Sequence, residues 1–549
     1  MCRRRLILLG IVSALAGLFA WPFVAHHRLK NAVEQYVRQL GAQGEPLTVP
    51  ELVPPLPPTD QNAAPTLLAA LAQLPWPNFT NQPPLMYRLT PGRALVAWRQ
   101  DPLPNDYTTN LWPGLRADLQ RLRPTLDQIP EALSRPALVV DVDYLQGFNM
   151  PLPHLSRMKY AGPWLAWRAA LDLRDGRTAE ALADVRAIAR LVALYKDEPL
   201  LVSALVRYAV AAVGVVAAWE LLQCPQVTEA QLATLQADWE AVDFGDQIEA
   251  AIRMERAMIR NTLAEMRTSR QSLVRAAAQL QPPASALDEL KELARTALRD
   301  PGQGIREVAI RYPAYWAWRW WWSYEDELAA LQSAQAALLA IRTARRDGHF
   351  ACALTELDAA IKQLRQRHPK AGRWFLANPF ELNRSVLLRF RAAEIQRRLL
   401  LTALALKRYE RRHGRLPETL EALVPEFCST VPRDPVDGQP LRYRPLTEGD
   451  FLLYSVGEDG TDDGGDASPT EASRWRAWLQ GRDIVWPQPA RTRETWLYHL
   501  EMELALERGR RTAPRVIATN GLPEAVRREL ERLARLRNLE LVDQPAATP

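Results

Sequence analysis

The start of the chain constrains its placement most strongly, because three arginines are followed by a long apolar run. The run extends from Leu6 to Val24 without a charged residue, directly after Arg3–Arg5. As a helix, with a rise of about 1.5 Å per residue, it spans about 28 Å, close to the hydrocarbon thickness of a bilayer. Arginines before a span keep the N-terminus cytoplasmic. We therefore predict a membrane anchor at residues 6–24, with the lipid bilayer as its partner.

A cleaved signal peptide is the alternative interpretation of this run. Its cleavage site requires two small residues separated by one position. Ala20 and Ala25 are preceded two positions earlier by Leu18 and Phe23, which fit such a site badly. The uncleaved anchor is therefore the favoured prediction, and both interpretations place the bulk of the chain outside the cytoplasm.

The composition limits the partners and the cross-links that this chain can use. Its net charge of +6 is spread over 549 residues, and only seven of the 69 basic residues are lysine. No basic block accompanies the aromatic platforms that a nucleic-acid site needs, so we predict no nucleic-acid partner. After the anchor only three cysteines remain, without metal-ligand spacing, so a disulfide framework is not expected. These are Cys224, Cys352 and Cys428.

Prolines and helical patterns divide the chain into regions of different character. Residues 46–163 carry 21 of the 43 prolines, which opposes long helices, and short ones are expected at 65–74 and 112–122. Residues 164–413 instead show long patterns rich in Ala, Leu and Arg, typical of a helical array or bundle. Within them the apolar stretch 210–218 is bracketed by Arg207 and Glu220. The stretch between those charges is too short to cross a bilayer, and a buried core helix is predicted.

The fold class that follows is mainly α. An N-terminal membrane helix leads into a Pro-rich segment and a helical array, and a small α+β domain with an acidic loop comes after them. The predicted regions are 1–30 for the cytoplasmic tip and anchor, 31–160 for a Pro-rich wrapping segment, 161–408 for the helical array, 409–490 for the α+β domain and 491–549 for a small α/β tail.

Five tryptophans crowd into a short segment before a long helical pattern. A buried helix where several others meet is the first interpretation of such a segment. A membrane-interface belt and a platform that stacks on sugars are the alternatives. The tryptophans are Trp316, Trp318, Trp320, Trp321 and Trp322.

The most informative chemistry lies in residues 457–466, here called the acidic loop. Two short strands are predicted before it, at 441–444 and 451–456, and the loop itself carries four aspartates among four glycines. Glycines allow a tight backbone, and hard oxygen ligands on such a loop suit Ca²⁺. An EF-hand is excluded because Thr470 occupies the position of the bidentate Glu. The candidate calcium ligands are Asp459, Asp462, Asp463 and Asp466.

This stretch resembles the C-terminal domain of the major pseudopilin of type II secretion systems. That family has a helix ending in His/Asn-Gly, an Asp-Pro turn, a strand, a calcium-binding acidic loop and an Asp-Ile-x-x-Trp-like ending. The counterparts here are His413-Gly414, Pro417 and residues 420–424, 434–440, 451–457, 459–466 and 483–486. The resemblance implies calcium ligated by Asp459 and by one or more of the other loop aspartates, with backbone carbonyls near Val456.

Filament assembly is not implied, because the chain has no prepilin-peptidase site and hundreds of residues precede the domain. The whole layout is similar to large single-span bacterial envelope proteins, which places the chain in a bacterial inner (cytoplasmic) membrane with its bulk periplasmic. The expected function is an extracytoplasmic scaffold or interaction protein with an envelope protein partner. An extracytoplasmic hydrolase or glycan-binding protein that uses the Trp-rich segment, and a secretion-system accessory component, are the alternatives.

Overall fold

The computed structural model of the chain describes its helical body and most of the α+β domain at residues 409–490, here called the acidic-loop domain. The described residues are 24–77, 83–99, 111–268, 318–369, 371, 379–446, 449–469, 481–491 and 494–495, with 516–518, 528, 531 and 540–542 in the tail. Of the predicted anchor, only Val24 is among the described residues. Trp316 of the Trp-rich segment also lies outside them.

The described residues form a mainly helical protein, as the sequence predicts. Apolar residues recur every three or four positions in these segments, which gives each helix a stripe to bury. One continuous core runs from Ala63 to Trp486 and includes side chains of nearly all the helices. The helices are α1 (24–42), α2 (Val49–Leu52), α3 (Ala64–Gln73), α4 (Leu111–Ala132), α5 (His154–Arg174), α6 (Thr178–Leu194), α7 (Leu201–Leu222), α8 (Glu229–Glu240), α9 (Gly245–Thr268), α10 (Ser323–Asp347), α11 (Ala351–Arg367) and α12 (Pro379–His413).

Helix α4 corrects the expectation that the Pro-rich segment holds only short helices. It continues past residue 122 to Ala132, with Pro124 and Pro130 inside it. A proline inside a helix removes one hydrogen bond and costs about 3 kcal/mol. Here the apolar stripe continues through Leu126 and Ile129, both fully buried, and this burial offsets the loss. Helix α5 likewise begins ten residues before the predicted start at residue 164 and contains Pro163.

Helix α7 is the one helix among the described residues that is long and apolar enough to cross a membrane by length and composition. It packs against α5, α6 and α12. The side chains of Arg207 and Glu220, which bracket its apolar stretch, are both buried in the protein. These contacts support the prediction of a core helix.

Helices α1, α9 and α10 form a unit that we call the anchor-side bundle. His26 of α1 contacts Tyr324 of α10, and one to two turns later in both helices Val33 packs against Leu328. The two helices therefore run parallel. Helix α9 runs the opposite way, because its last turn lies beside the first turn of α10, where Arg267 contacts Glu327. The beginning of α10 thus lies at the same end as the beginning of α1.

The strands among the described residues are short and belong to three small sheets. Strand β1 (Tyr87–Thr90) pairs antiparallel with β2 (Arg93–Leu95), and β3 (Arg442–Pro445) pairs antiparallel with β4 (Phe451–Ser455), the hairpin that the sequence predicts. Strand β5 (Ile484–Val485) extends the second hairpin, and β6 (Gln488–Pro489) pairs in parallel with β2. In the tail, β7 (Val516–Ala518) and β8 (Glu540–Val542) are parallel.

The acidic-loop domain is joined to the helical array more closely than the predicted boundary at 408/409 implies. Helix α12 crosses that boundary without interruption and ends at His413. Residues of this domain, among them Leu453 and Trp486, belong to the same core as the helices. Since the core is shared, the domain is expected to fold together with the array.

Candidate functional site

The acidic loop begins where β4 meets β5, so two distant segments lie side by side at its base. Ser455 of β4 pairs with Ile484 of β5. Gly457 follows closely, and a Cβ atom at this position would lie 1.6 Å from the backbone oxygen of Arg482. Only a glycine permits this approach, because real Cβ atoms essentially never come within 3.0 Å of a heavy atom to which they are not bonded. The base of the loop is therefore fixed by backbone packing.

Each of the four predicted calcium ligands has a hydrogen-bond or ion-pair partner, and Arg482 lies 3.7 Å from both Asp463 and Asp466. Asp459 and Asp466 accept hydrogen bonds from the backbone N–H groups two residues on, at 3.0 and 2.9 Å. Asp462 accepts one from the Tyr454 hydroxyl at 3.0 Å as well as one from a backbone N–H. Asp463 forms a 3.7 Å ion pair with Arg482. Among the described residues, the structure brings no three carboxylate, histidine or cysteine side chains together as a metal-binding group.

A fifth carboxylate, Asp483, reaches the same loop and was not among the predicted ligands. Its side chain is fully buried, and its Oδ2 atom accepts a 2.7 Å hydrogen bond from the backbone N–H of Gly465. Its Oδ1 atom is buried without a hydrogen-bond partner among the described residues. Burial raises the pKa of this carboxyl, and the nearby charge of Asp462 adds to the rise, against the opposing effect of the backbone N–H groups of Gly465, Asp463 and Asp466. A buried oxygen left without a donor is costly and suits a cation.

Sequence reasoning could have found Asp483 from its place at the end of the loop. It begins the Asp-Ile-x-Trp ending that carries part of the pseudopilin resemblance. Its burial, however, results from the pairing of β4 with β5, which brings together residues almost thirty positions apart in the chain.

Beneath the loop, Asp434 forms the polar centre of the domain. This carboxylate is fully buried and accepts hydrogen bonds from the backbone N–H groups of Val436 and Val456, each at 2.9 Å, and from the Ser455 hydroxyl at 2.7 Å. Arg442 lies 3.1 Å from Asp434, and its guanidinium also contacts Asp437 and Asp462. Arg442 thus supplies one positive charge to three carboxylates, one of which belongs to the acidic loop.

The end of α7 joins this domain to the hairpin β1–β2. The Trp219 indole N–H donates a 2.7 Å hydrogen bond to the carbonyl oxygen of Pro487. The next residue, Glu220, accepts hydrogen bonds from the backbone N–H groups of Met86 at 2.7 Å and Ala97 at 3.1 Å. Burial raises the pKa of Glu220 to about 7. Trp219 therefore holds the segment of β6, and its neighbour Glu220 holds the β1–β2 hairpin with which β6 pairs.

A buried polar cluster around Glu198 has the residue types of a hydrolytic site but a different connectivity. Glu198 accepts hydrogen bonds from His154 Nε2 at 2.9 Å, from the Tyr195 hydroxyl at 3.2 Å and from the Ser203 hydroxyl. An activated serine donates its proton to a base that a third group orients. Here Ser203 and His154 both bind the same carboxylate, so the cluster holds α5 and α7 together around Glu198.

The Trp-rich segment is partly buried and partly exposed. Trp318 is fully buried, and its indole N–H donates a 2.7 Å hydrogen bond to the carboxylate of Asp326. Trp320 and Trp321 are 41% and 49% exposed. The Asp326 carboxylate is therefore buried and engaged by Trp318.

Comparison of the chain with protein-family models, with curated proteins and with solved structures finds no match.

Proposed function

We propose that the protein is a membrane-anchored extracytoplasmic scaffold that presents a calcium-stabilised domain to an envelope protein partner. The observation that carries the calcium part is the buried Oδ1 atom of Asp483, which has no hydrogen-bond partner among the described residues and lies beside a loop with four more aspartates. The anchor and its flanking arginines support the placement. The pseudopilin-like order of residues supports the choice of metal.

Calcium would be held by Asp483 together with the loop aspartates Asp459, Asp462, Asp463 and Asp466. When bound, the ion supplies positive charge to a group of carboxylates that otherwise repel one another. The loop aspartates would exchange their hydrogen bonds to nearby backbone N–H groups for the metal. Because Asp483 belongs to the segment after the loop, this exchange would tie the loop to β5 and stabilise the domain through linkage.

The scaffold part of the proposal is supported by how firmly the domain is attached. Gln236 of α8 donates a 2.7 Å hydrogen bond to the carbonyl oxygen of Phe427, and Arg412, in the last turn of α12, lies 3.4 Å from Glu229 of α8. Together with the Trp219–Pro487 hydrogen bond, these contacts fix the acidic-loop domain on the helical array. A rigid body of this kind can hold a loop at a set orientation for a partner.

The test is a thermal melt of the full chain in detergent, with calcium and with a calcium chelator. We expect calcium to raise the unfolding midpoint of the natural chain. At a calcium concentration 100 times the dissociation constant, binding adds about 3 kcal/mol to the free energy of unfolding. Magnesium, which demands tighter octahedral geometry, should give a smaller shift.

Two variants sharpen this experiment. Asp483→Asn should abolish the calcium-dependent shift, since it removes the buried charge that the proposal relies on. Asp118→Asn is the matched control, because Asp118 is an exposed partner of Arg121 on α4 and should leave the shift unchanged. An identical midpoint with calcium and with chelator in the natural chain would contradict the calcium proposal.

A further inference from the structure

The Trp-rich segment lies directly beside the point where the chain leaves the predicted anchor. Helix α1 is described from Val24, the last residue of that anchor. Two residues later, His26 Nδ1 donates a 2.9 Å hydrogen bond to the carbonyl oxygen of Trp320. The His26 ring also packs on the rings of Trp320 and Tyr324, with centroids 5.4 and 5.0 Å apart.

The anchor-side bundle holds this contact in place. Helices α1 and α10 run parallel, with Val33 packed among Leu328 and Leu331. Arg267 at the end of α9 stacks over the Tyr324 ring at 3.9 Å and donates a 3.0 Å hydrogen bond to the carbonyl oxygen of Ser323. Three helices therefore fix the turn Trp318–Trp322 at the end of the bundle from which the anchor departs.

At that end the protein exposes large aromatic side chains together with basic ones. Trp320 and Trp321 are 41% and 49% exposed, although tryptophan is usually well covered in a folded protein. His27 and Arg28, on the first turns of α1, are exposed as well. Indole rings favour the headgroup region of a bilayer, and basic side chains favour its anionic lipids.

We propose that Trp320 and Trp321, with Arg28, dock the helical body onto the surface of the same bilayer that holds the anchor. The occupant of this surface is the phospholipid headgroup layer, enriched in anionic lipid. The proposal rests on the anchor at residues 6–24, because His26 follows the end of that span by about 3 Å of helix rise. At this depth the two rings reach the interface without entering the hydrocarbon core.

Docking of this kind would fix the orientation of the body. A single helix leaves a protein free to tilt and rotate about one point, whereas a second contact on the headgroup layer removes part of that freedom. The anchor-side bundle would then stand on the membrane with its opposite end, around Glu45 and Arg342, directed away from it.

The experiment uses the full chain in vesicles of phosphatidylcholine and phosphatidylglycerol that contain brominated phosphatidylcholine, with bromines near the glycerol end. Bromine quenches only tryptophans at the same depth. We expect the quenched share of the emission to be smaller in the double variant Trp320→Ser/Trp321→Ser than in the natural chain. The matched control is Trp76→Ser, which removes an exposed ring that packs on Tyr160 of α5. In this variant the quenched share of the remaining tryptophan emission should equal or exceed that of the natural chain.

Flotation of the same vesicles separates this proposal from the anchor on which it rests. If the chain does not float with the vesicles, the anchor and the docking surface are both wrong. If it floats but the double variant is quenched to the same extent as the natural chain, the docking surface alone is wrong. Loss of sedimentation with peptidoglycan in the double variant, with unchanged quenching, would assign the two rings to glycan and would also overturn the proposal.

Discussion

The Glu45 carboxylate accepts a 2.7 Å hydrogen bond from Arg342, a residue 297 positions away in the sequence. Arg256, itself fully buried, reaches the same carboxylate at 3.1 Å. Burial alone would raise the pKa of Glu45, but the hydrogen bonds from the two arginines outweigh it and lower the pKa to about 2. This ion cluster ties the segment after α1 to α9 and α10.

Replacement of Glu45 by Gln should destabilise the anchor-side bundle by about 3 kcal/mol, because it leaves Arg256 buried without its counter-charge. The depressed pKa also sets a pH dependence for the natural chain. The Glu45 carboxylate contributes its full stabilisation above pH 4.5, the ordinary pKa of a glutamate, and this contribution is lost as the pH falls toward about 2. Thermal unfolding of the full chain across this range measures both effects.

Glu34→Gln is the control for this prediction. Glu34 forms an exposed 3.9 Å pair with Lys30 on the same helix, and pairs of that kind contribute little. Equal unfolding midpoints for the two variants would contradict the assigned role of Glu45.

Glu220 should show the opposite pH dependence. Burial raises the pKa of this acid from 4.5 to about 7, against the effect of its backbone hydrogen bonds. Its contribution is therefore full below pH 4.5 and is lost as the pH rises through about 7. Relative to Glu220→Gln, which does not titrate, the natural chain should lose stability over this interval. Parallel stability profiles of the two proteins would refute the prediction.

Asp434→Asn should unfold the acidic-loop domain at a lower temperature than any change of an exposed carboxylate nearby. The amide keeps one oxygen, so its NH2 group would face the backbone N–H of either Val436 or Val456, donor against donor, at a cost of about 3 kcal/mol. Asp437→Asn is the control, since Asp437 is only partly buried and contacts the same Arg442. Its effect should stay near 1 kcal/mol. Hydrogen exchange at β4 gives the readout, and similar protection in both variants would argue against this role for Asp434.

Gly457→Ala should displace the acidic loop from β5, because its Cβ atom would overlap the backbone oxygen of Arg482. Gly460→Ala is the matched variant. Gly460 has a φ of +72° but open space around its Cβ position, so only backbone strain of about 1 kcal/mol is expected. Limited proteolysis of the loop compares the two. The prediction fails if Gly457→Ala is cleaved no faster than Gly460→Ala.

The helices and the β3–β4 hairpin were predictable because their signals are local. Helix α12 ends at His413, where the predicted helical region ends, and the strand Phe451–Ser455 ends one residue before its expected bound, since apolar spacing and turn glycines act over a few positions. The predicted end of helix α4 at residue 122 was wrong, because the burial of its apolar stripe outweighs the effect of the two prolines inside it. The four loop aspartates were identified as a group by composition, but their individual hydrogen bonds and the burial of Asp483 were not.

The sequence by itself determined that this chain is mainly helical, that an apolar run precedes the body and that one loop concentrates carboxylates. Only the tertiary structure decided which charges are buried and paired: Glu45 with Arg342, Glu220 with the β1–β2 hairpin, and Asp483 beside the acidic loop. The physical reason is the distance along the chain over which each preference acts. Helix and turn preferences depend on neighbours within a few residues, whereas the burial of a charge depends on which distant segments meet and on the partner each one supplies.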